Sequence, residues 1–168
     1  TEGSFTVGDV CQNIISNGGF EPGPIIPWSF YTNGAGTFTT ASPGNGSPMA
    51  AKVNITTAGS NVQLFQYGLV LEANKKYRLA FDAKSTTGHD VSVYLHRHDA
   101  PYTSYGLSYI ADLTTSWQTF ATEFTTGGFT GTVNNGRIRF WFAPYATAGD
   151  VYYIDNVVLC KVTTSGAM

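Results

Sequence analysis

The side chains best equipped for chemistry in this chain are aromatic rings and a few polar groups: Trp141, Tyr94, Tyr102, Gln63, His96, His98 and Arg139. Tyrosine and tryptophan offer flat apolar faces with a polar tip. Such faces stack on the C–H faces of sugar rings, whose hydroxyls then need amide, imidazole or guanidinium partners. His96 and His98 lie two apart in His96-Arg97-His98-Asp99, so on a strand they share a face. That spacing suits a metal ion, or hydrogen bonds to a ligand. Catalytic signatures are missing: there is no Gly-x-Ser-x-Gly elbow, phosphate loop, dinucleotide fingerprint or His-Glu-x-x-His. A glycosidase needs two carboxylates flanking a cleft. The 11 acidic residues fall mostly at turns and strand ends, and none alternates with the outward aromatic positions. No catalytic residue is expected.

Strands must position these groups. Apolar residues alternate with period two, and Gly, Pro, Asn and Ser clusters interrupt them. The pattern predicts strands at Cys11–Ser16, Trp28–Tyr31, Thr37–Thr40, Met49–Ile55, Val62–Leu71, Lys76–Lys84, Val91–His98, Leu107–Ile110, Gln118–Thr125, Gly136–Phe142 and Val151–Cys160. Many short strands with turns between them make an all-β fold, an antiparallel β-sandwich (jelly roll) of two sheets. Alternation also sets the facing. Ile138, Phe140 and Phe142 point to the core, which turns Arg137, Arg139 and Trp141 outward. Val91, Val93 and Leu95 point in, leaving Ser92, Tyr94, His96 and His98 outside. Tyr102 sits in Asp99-Ala-Pro-Tyr-Thr-Ser104, a loop signal.

The 168 residues amount to one domain. The expected module is 11–162, with linker remnants at 1–10 and 163–168. Charged residues are 12% of the chain and the net charge is −2. No basic field exists to draw nucleic acid or an anionic membrane, and a neutral partner fits better than a charged one. No run approaches the roughly 20 apolar residues of a membrane span. Cys11 and Cys160 stand near opposite ends. They read as a disulfide joining the first and last strands, or else as two buried free thiols. A bridge closing so long a loop is worth about 4–5 kcal/mol in the chain-entropy model and implies an oxidising compartment. Glu21 and Asp155, each flanked by apolar residues, read equally as a calcium site completed by backbone carbonyls or as turn-capping acids.

Several segments together resemble a known family. Asn13-Ile-Ile-Ser-Asn-Gly-Gly-Phe-Glu21 is followed by Trp28, then by Val62-Gln-Leu-Phe-Gln66 and Tyr77-Arg-Leu-Ala-Phe-Asp-Ala-Lys84. Trp117-Gln-Thr-Phe120 and Tyr153-Ile-Asp-Asn-Val157 complete the set. From about Cys11 to Val162 the chain resembles carbohydrate-binding modules of family 4, related to families 16 and 22. The resemblance implies a jelly roll with a groove across its concave face. It implies a non-catalytic, secreted module, monomeric within a multidomain glycoside hydrolase. Its ligands would be single chains of plant cell-wall polysaccharide such as xylan, β-glucan or glucomannan. It also implies a structural Ca²⁺, held by Glu21 and Asp155 with backbone oxygens of Gly19 and Lys52. Gln63 matches a polar contact of the groove and Tyr102 a second aromatic platform. Ser60-Asn61 stands where relatives often carry a tryptophan platform, a role Trp141 is placed to fill. The alternatives are a small polysaccharide-degrading jelly-roll enzyme and a structural or adhesion domain.

Overall fold

A computed structural model describes residues 9–22 and 25–164. It contains eleven strands: β1 (Asp9–Asn13), β2 (Ser29–Thr32), β3 (Ala35–Ala41), β4 (Ala50–Thr57), β5 (Val62–Glu72), β6 (Lys76–Ser85), β7 (Val91–Arg97), β8 (Ser104–Ala111), β9 (Gln118–Thr125), β10 (Thr132–Trp141) and β11 (Val151–Thr164). They form two antiparallel sheets. One runs β3-β4-β11-β6-β9, with β1 also paired to β11; the other runs β2-β5-β10-β7-β8. This is the expected two-sheet jelly-roll sandwich.

The core lies between the sheets, where alternation places it. Tyr77, Leu79, Phe81 and Ala83 of β6 are buried against Ile138 and Phe140 of β10 and Val91, Val93 and Leu95 of β7. Phe81 meets Phe140 edge-on, with ring centroids 5.1 Å apart, a favoured aromatic geometry. Two irregularities reverse the parity of a strand. In β5, Val62 and Leu64 face in, but beyond Gly68 it is Leu69 and Leu71 that do. Gly68 has φ +80°, a conformation glycine adopts without a Cβ clash. In β11, Tyr152 and Ile154 face in, and after a register shift past Asp155 so do Val157 and Leu159.

Strand ends differ from expectation for local reasons. The first strand stops at Asn13, because the Asn13 side chain accepts hydrogen bonds from the Ile15 and Leu159 N–H groups, both at 3.0 Å. Strand β11 continues past Cys160 because β1 lies beside it, pairing Cys11 with Val162 and Val10 with Thr163. The inner ends of both expected linkers (9–10 and 163–164) therefore belong to strands, while 1–8 and 165–168 lie outside the described residues. Cys11 and Cys160 form a disulfide between these strands, with Cα atoms 5.2 Å apart.

Candidate functional site

The outward face of the β2-β5-β10-β7-β8 sheet collects the residues singled out above. Cross-strand partners in an antiparallel ladder point to the same side, so the register fixes three rows. The first is Tyr31, Gln63, Trp141, Ser92 and Ile110. The second is Ser29, Phe65, Arg139, Tyr94 and Ser108. The third is Tyr67, Arg137, His96 and Ser104. None of these positions carries a carboxylate.

Rings and guanidinium groups interleave across the rows. The Arg139 guanidinium lies 4.5 Å from the Trp141 ring centroid and 5.1 Å from that of Tyr94. Arg137 lies 4.5 Å from the Phe65 ring. Stacked in this way, a guanidinium keeps its N–H edge available. Arg137 uses its own edge internally. It donates to Gln63 Oε1 at 3.1 Å and to His98 Nδ1 at 2.8 and 3.0 Å. Gln63 in turn donates to Asn61 Oδ1 at 2.9 Å and is 5% exposed. In this structure Gln63 positions Arg137 rather than presenting a free amide. His98, just beyond β7, stacks on Tyr67 with centroids 4.0 Å apart. Burial first, then Arg137, lowers the His98 pKa.

Arg139 is different. It makes no hydrogen bond and no ion pair among the described residues, and its buried Nε is without a partner. Burial, and then repulsion from Arg137, lowers its pKa. It lines a pocket of about 140 Å³ with Tyr94, Leu95, His96, Tyr102 and Ser104. His96 is 5% exposed. Its Nδ1 lies 2.6 Å from the Arg97 carbonyl oxygen, so Nδ1 carries the proton and Nε2 is a lone-pair acceptor. That Nε2 is buried and unpartnered. Burial, and then the nearby arginines, pushes the His96 pKa down to about 4 despite the Arg97 carbonyl, so the ring is neutral at pH 7. Tyr102 roofs the pocket with a ring 58% exposed, on a backbone at φ +58°. That region costs a tyrosine roughly 1–2 kcal/mol, and the Tyr102 N–H to Asp99 carbonyl bond of 2.8 Å helps hold it.

Trp141 also borders a larger open cavity of about 580 Å³, with Ala58, Gly59, Ser60, Ala143, Pro144 and Ala146. Ser60 and Trp141 thus share one cavity. Other aromatics turn inward: Trp28 packs on Phe20 and Phe140, and Tyr105 is 2% exposed. Gln66 faces the core side, bonded at 2.9 Å to both the N–H and the carbonyl of Ser16. Phe65, Tyr67, Tyr31 and Arg137 complete the face, although they were not among the leading candidates from sequence. The signal was present in β5, where Gln63, Phe65 and Tyr67 alternate with Val62 and Leu64.

Of the expected calcium ligands, Lys52 (β4) and Asp155 (β11) sit on the opposite sheet, and Gly19 and Glu21 lie in the segment between β1 and β2. Asp155 is fully buried, and one carboxylate oxygen accepts from the Asn45 N–H at 2.9 Å and the Ser47 hydroxyl at 2.5 Å. The other accepts from the Asn156 N–H at 2.8 Å. The Glu21 carboxylate, folded back towards Gly19, takes no hydrogen bond among the described residues. Lys52 is paired in the ladder with Tyr153 and Thr39. No three His, Cys, Asp or Glu side chains converge among the described residues. Calcium needs six to eight oxygen ligands with their lone pairs free. In this structure three N–H and O–H donors engage the Asp155 carboxylate. His98 Nδ1, occupied by Arg137, is likewise not free for a metal shared with His96.

The sequence matches the family model described as "Carbohydrate binding domain" over residues 12–147. No curated protein matches it. Among solved structures, it is similar to the N-terminal cellulose-binding domain of Cellulomonas fimi β-1,4-glucanase C, with 23% identity, 89% of this chain and 97% of that one covered, and a TM-score of 0.65. A family 16 carbohydrate binding module matches at 23% identity, with 88% and 99% covered and a TM-score of 0.60. The CBM22-1 xylan-binding domain of Paenibacillus barcinonensis Xyn10C matches at 14% identity, with 94% and 97% covered and a TM-score of 0.61. At these identities the solved structures speak for the fold alone.

Proposed function

The chain belongs to this family of carbohydrate binding domains, and from that premise we propose that it binds single chains of plant cell-wall polysaccharide along the outward β2-β5-β10-β7-β8 face. The observation that carries the proposal is the three-row array itself. Rings at Tyr31, Trp141, Phe65, Tyr94 and Tyr67 lie on one face beside polar groups at Arg139, His96 and Ser104. Pyranose rings stack on Trp141 and on Tyr102, and the pocket between them reads hydroxyls. The candidate ligands are xylan, β-glucan and glucomannan.

The module acts without chemistry of its own. A hydrolytic mechanism with two carboxylates has no carboxylate on these rows to use. Its service is to hold an appended glycoside hydrolase on the substrate, as a monomeric module of a secreted enzyme. The Cys11–Cys160 disulfide supports an oxidising, extracellular setting.

Affinity electrophoresis against xylan, mixed-linkage β-glucan, hydroxyethylcellulose and glucomannan tests this reading. The wild-type chain is retarded by at least one of them. Trp141→Ala loses about 2 kcal/mol of binding, near 30-fold, as expected for a central aromatic anchor. Retardation unchanged in Trp141→Ala removes that residue from the site. Release of reducing ends by the pure chain overturns the non-catalytic assignment.

A further inference from the structure

The charge on the proposed binding face is not that of the whole molecule. The chain carries a net −2, yet the three rows hold Arg137 and Arg139 and no acid. The two arginines are two residues apart on one strand and repel each other. Asp99, on the exposed loop after β7, acts electrostatically on Arg137 and His98 but forms no ion pair among the described residues. Arg139 has no carboxylate partner among the described residues. A half-buried guanidinium without a counter-charge or hydrogen bond is costly. All other ion pairs found among the described residues engage Lys76, Arg78, His89 or Lys161, away from these rows.

The pocket beside Arg139 adds an independent observation. His96 lines the pocket, is more than nine-tenths buried, and its buried Nε2 has no partner among the described residues. The pocket therefore offers a neutral acceptor next to a planar cationic donor edge. A hydroxyl can donate to His96 Nε2. A carboxylate fits the guanidinium, which binds planar carboxylates through two parallel N–H bonds. Tyr94 and Tyr102 supply ring surface on either side. A hexuronate carries both a carboxylate and ring hydroxyls, and is the unit of this kind common in cell-wall polysaccharides.

We propose that the pocket of Tyr94, His96, Tyr102, Ser104 and Arg139 binds a uronic acid unit, so that among cell-wall polysaccharides the face prefers one that carries uronate, as glucuronoxylan does. This deepens the polysaccharide-binding reading and rests on it. The low overall charge, which by itself favours a neutral partner, conceals a locally cationic face. The carboxylate pairs with Arg139, and an adjacent ring hydroxyl donates to His96 Nε2. Trp141 stacks the neighbouring residue of the chain.

The experiment is affinity electrophoresis of the full chain on glucuronoxylan, polygalacturonate and alginate, each beside its carboxyl-reduced derivative. Neutral β-glucan and sulfated carrageenan complete the panel. The expected result is retention on at least one uronate polymer, at least tenfold weaker on its reduced form, and weakened by salt beyond about 0.15 M. Arg139→Gln lowers native binding to the level of the reduced polymer. Arg139→Lys, which keeps the charge without the fork, falls between the two. Equal retention on native and reduced polymers, or binding to neutral glucan alone, overturns the uronate assignment and leaves polysaccharide binding intact. Retention on carrageenan but on no uronate polymer overturns it in favour of sulfate. Failure to bind any glycan overturns both readings.

Discussion

The two sheets bury polar groups on their outward faces in opposite ways. On the β3-β4-β11-β6-β9 sheet, Asp155 and Asp82 are cross-strand partners and both are buried. Every carboxylate oxygen there is engaged. Asp155 accepts from Asn45, Ser47 and Asn156. Asp82 accepts from Thr119 at 2.6 Å, Asn156 at 2.7 Å and Asn45 at 3.0 Å. The 42–49 loop, fastened by these bonds, closes over the pair. On the other sheet, Arg139 Nε, His96 Nε2 and Arg97 Nε are buried with nothing to bond among the described residues, and Arg139 and His96 line one pocket. Buried polarity that serves the fold is closed; polarity reserved for a ligand stays open. Since buried polar groups are almost always satisfied, two open ones in one pocket mark where a partner belongs.

That contrast can be broken by mutation. Asp155→Ala has the largest expected effect: it strands three donors in a buried site and costs about 3 kcal/mol of stability. Urea unfolding checks the loss, and glycan retention of the folded fraction stays at wild-type level. A loss of binding with unchanged stability would place Asp155 in the site instead.

The second effect is on pH dependence. Folding holds the His96 pKa near 4, below the ordinary 6.5 of an exposed histidine. As pH falls through 6.5 the unfolded chain takes up a proton that the folded chain refuses until about 4. Stability contributed by neutral His96 is therefore complete above 6.5 and is lost between 6.5 and 4. Denaturation curves across that window should show the decline, and His96→Gln should reduce it, leaving the part that His98 contributes with its own lowered pKa. Glu72 and Glu123 have pKa values lowered chiefly by bonds to Lys161 and Arg78. Their contribution persists until lower pH, beneath 4.5, so the windows separate.

Smaller still is the stability effect of Arg139→Gln. Removing an unbonded guanidinium relieves desolvation while losing two ring contacts, and the sum stays within about 1 kcal/mol of zero. A melt shifted strongly downward would show Arg139 to be a structural residue. The smallest expected effect is that of a chelator. With three N–H and O–H donors already on Asp155, EDTA should leave the melting temperature unchanged. A drop reversed by added Ca²⁺ would mean that the Asn45 and Ser47 bonds give way to a metal.

The fold was legible in the sequence because alternation is local. Tyr77, Leu79, Phe81 and Ala83 reveal their side of the sheet without knowledge of any neighbour. The same parity placed Arg139, Trp141, Tyr94 and His96 on one face. What parity could not give was partnership. Gln63 and Gln66 look alike in Val62-Gln-Leu-Phe-Gln66, yet one holds Arg137 and the other is tied to Ser16 from the opposite side. Asp155 reads equally as a calcium ligand or a turn-capping acid, and its bonds to the 42–49 loop are visible only in the fold. The local charge of the face was hidden for the same reason, since net charge sums over acids that the topology sends elsewhere.

The most direct test of the account follows the three histidines by long-range ¹H–¹⁵N NMR, with and without an oligosaccharide of the retained glycan. In the free chain, His96 Nε2 should resonate as a bare acceptor. The account predicts that ligand shifts this nitrogen as it gains a hydrogen bond, while His89, paired with Asp150 at 2.7 Å outside the three rows, stays fixed. A ligand that binds without moving His96, or that moves His89 instead, would contradict the assignment of the open face as the site.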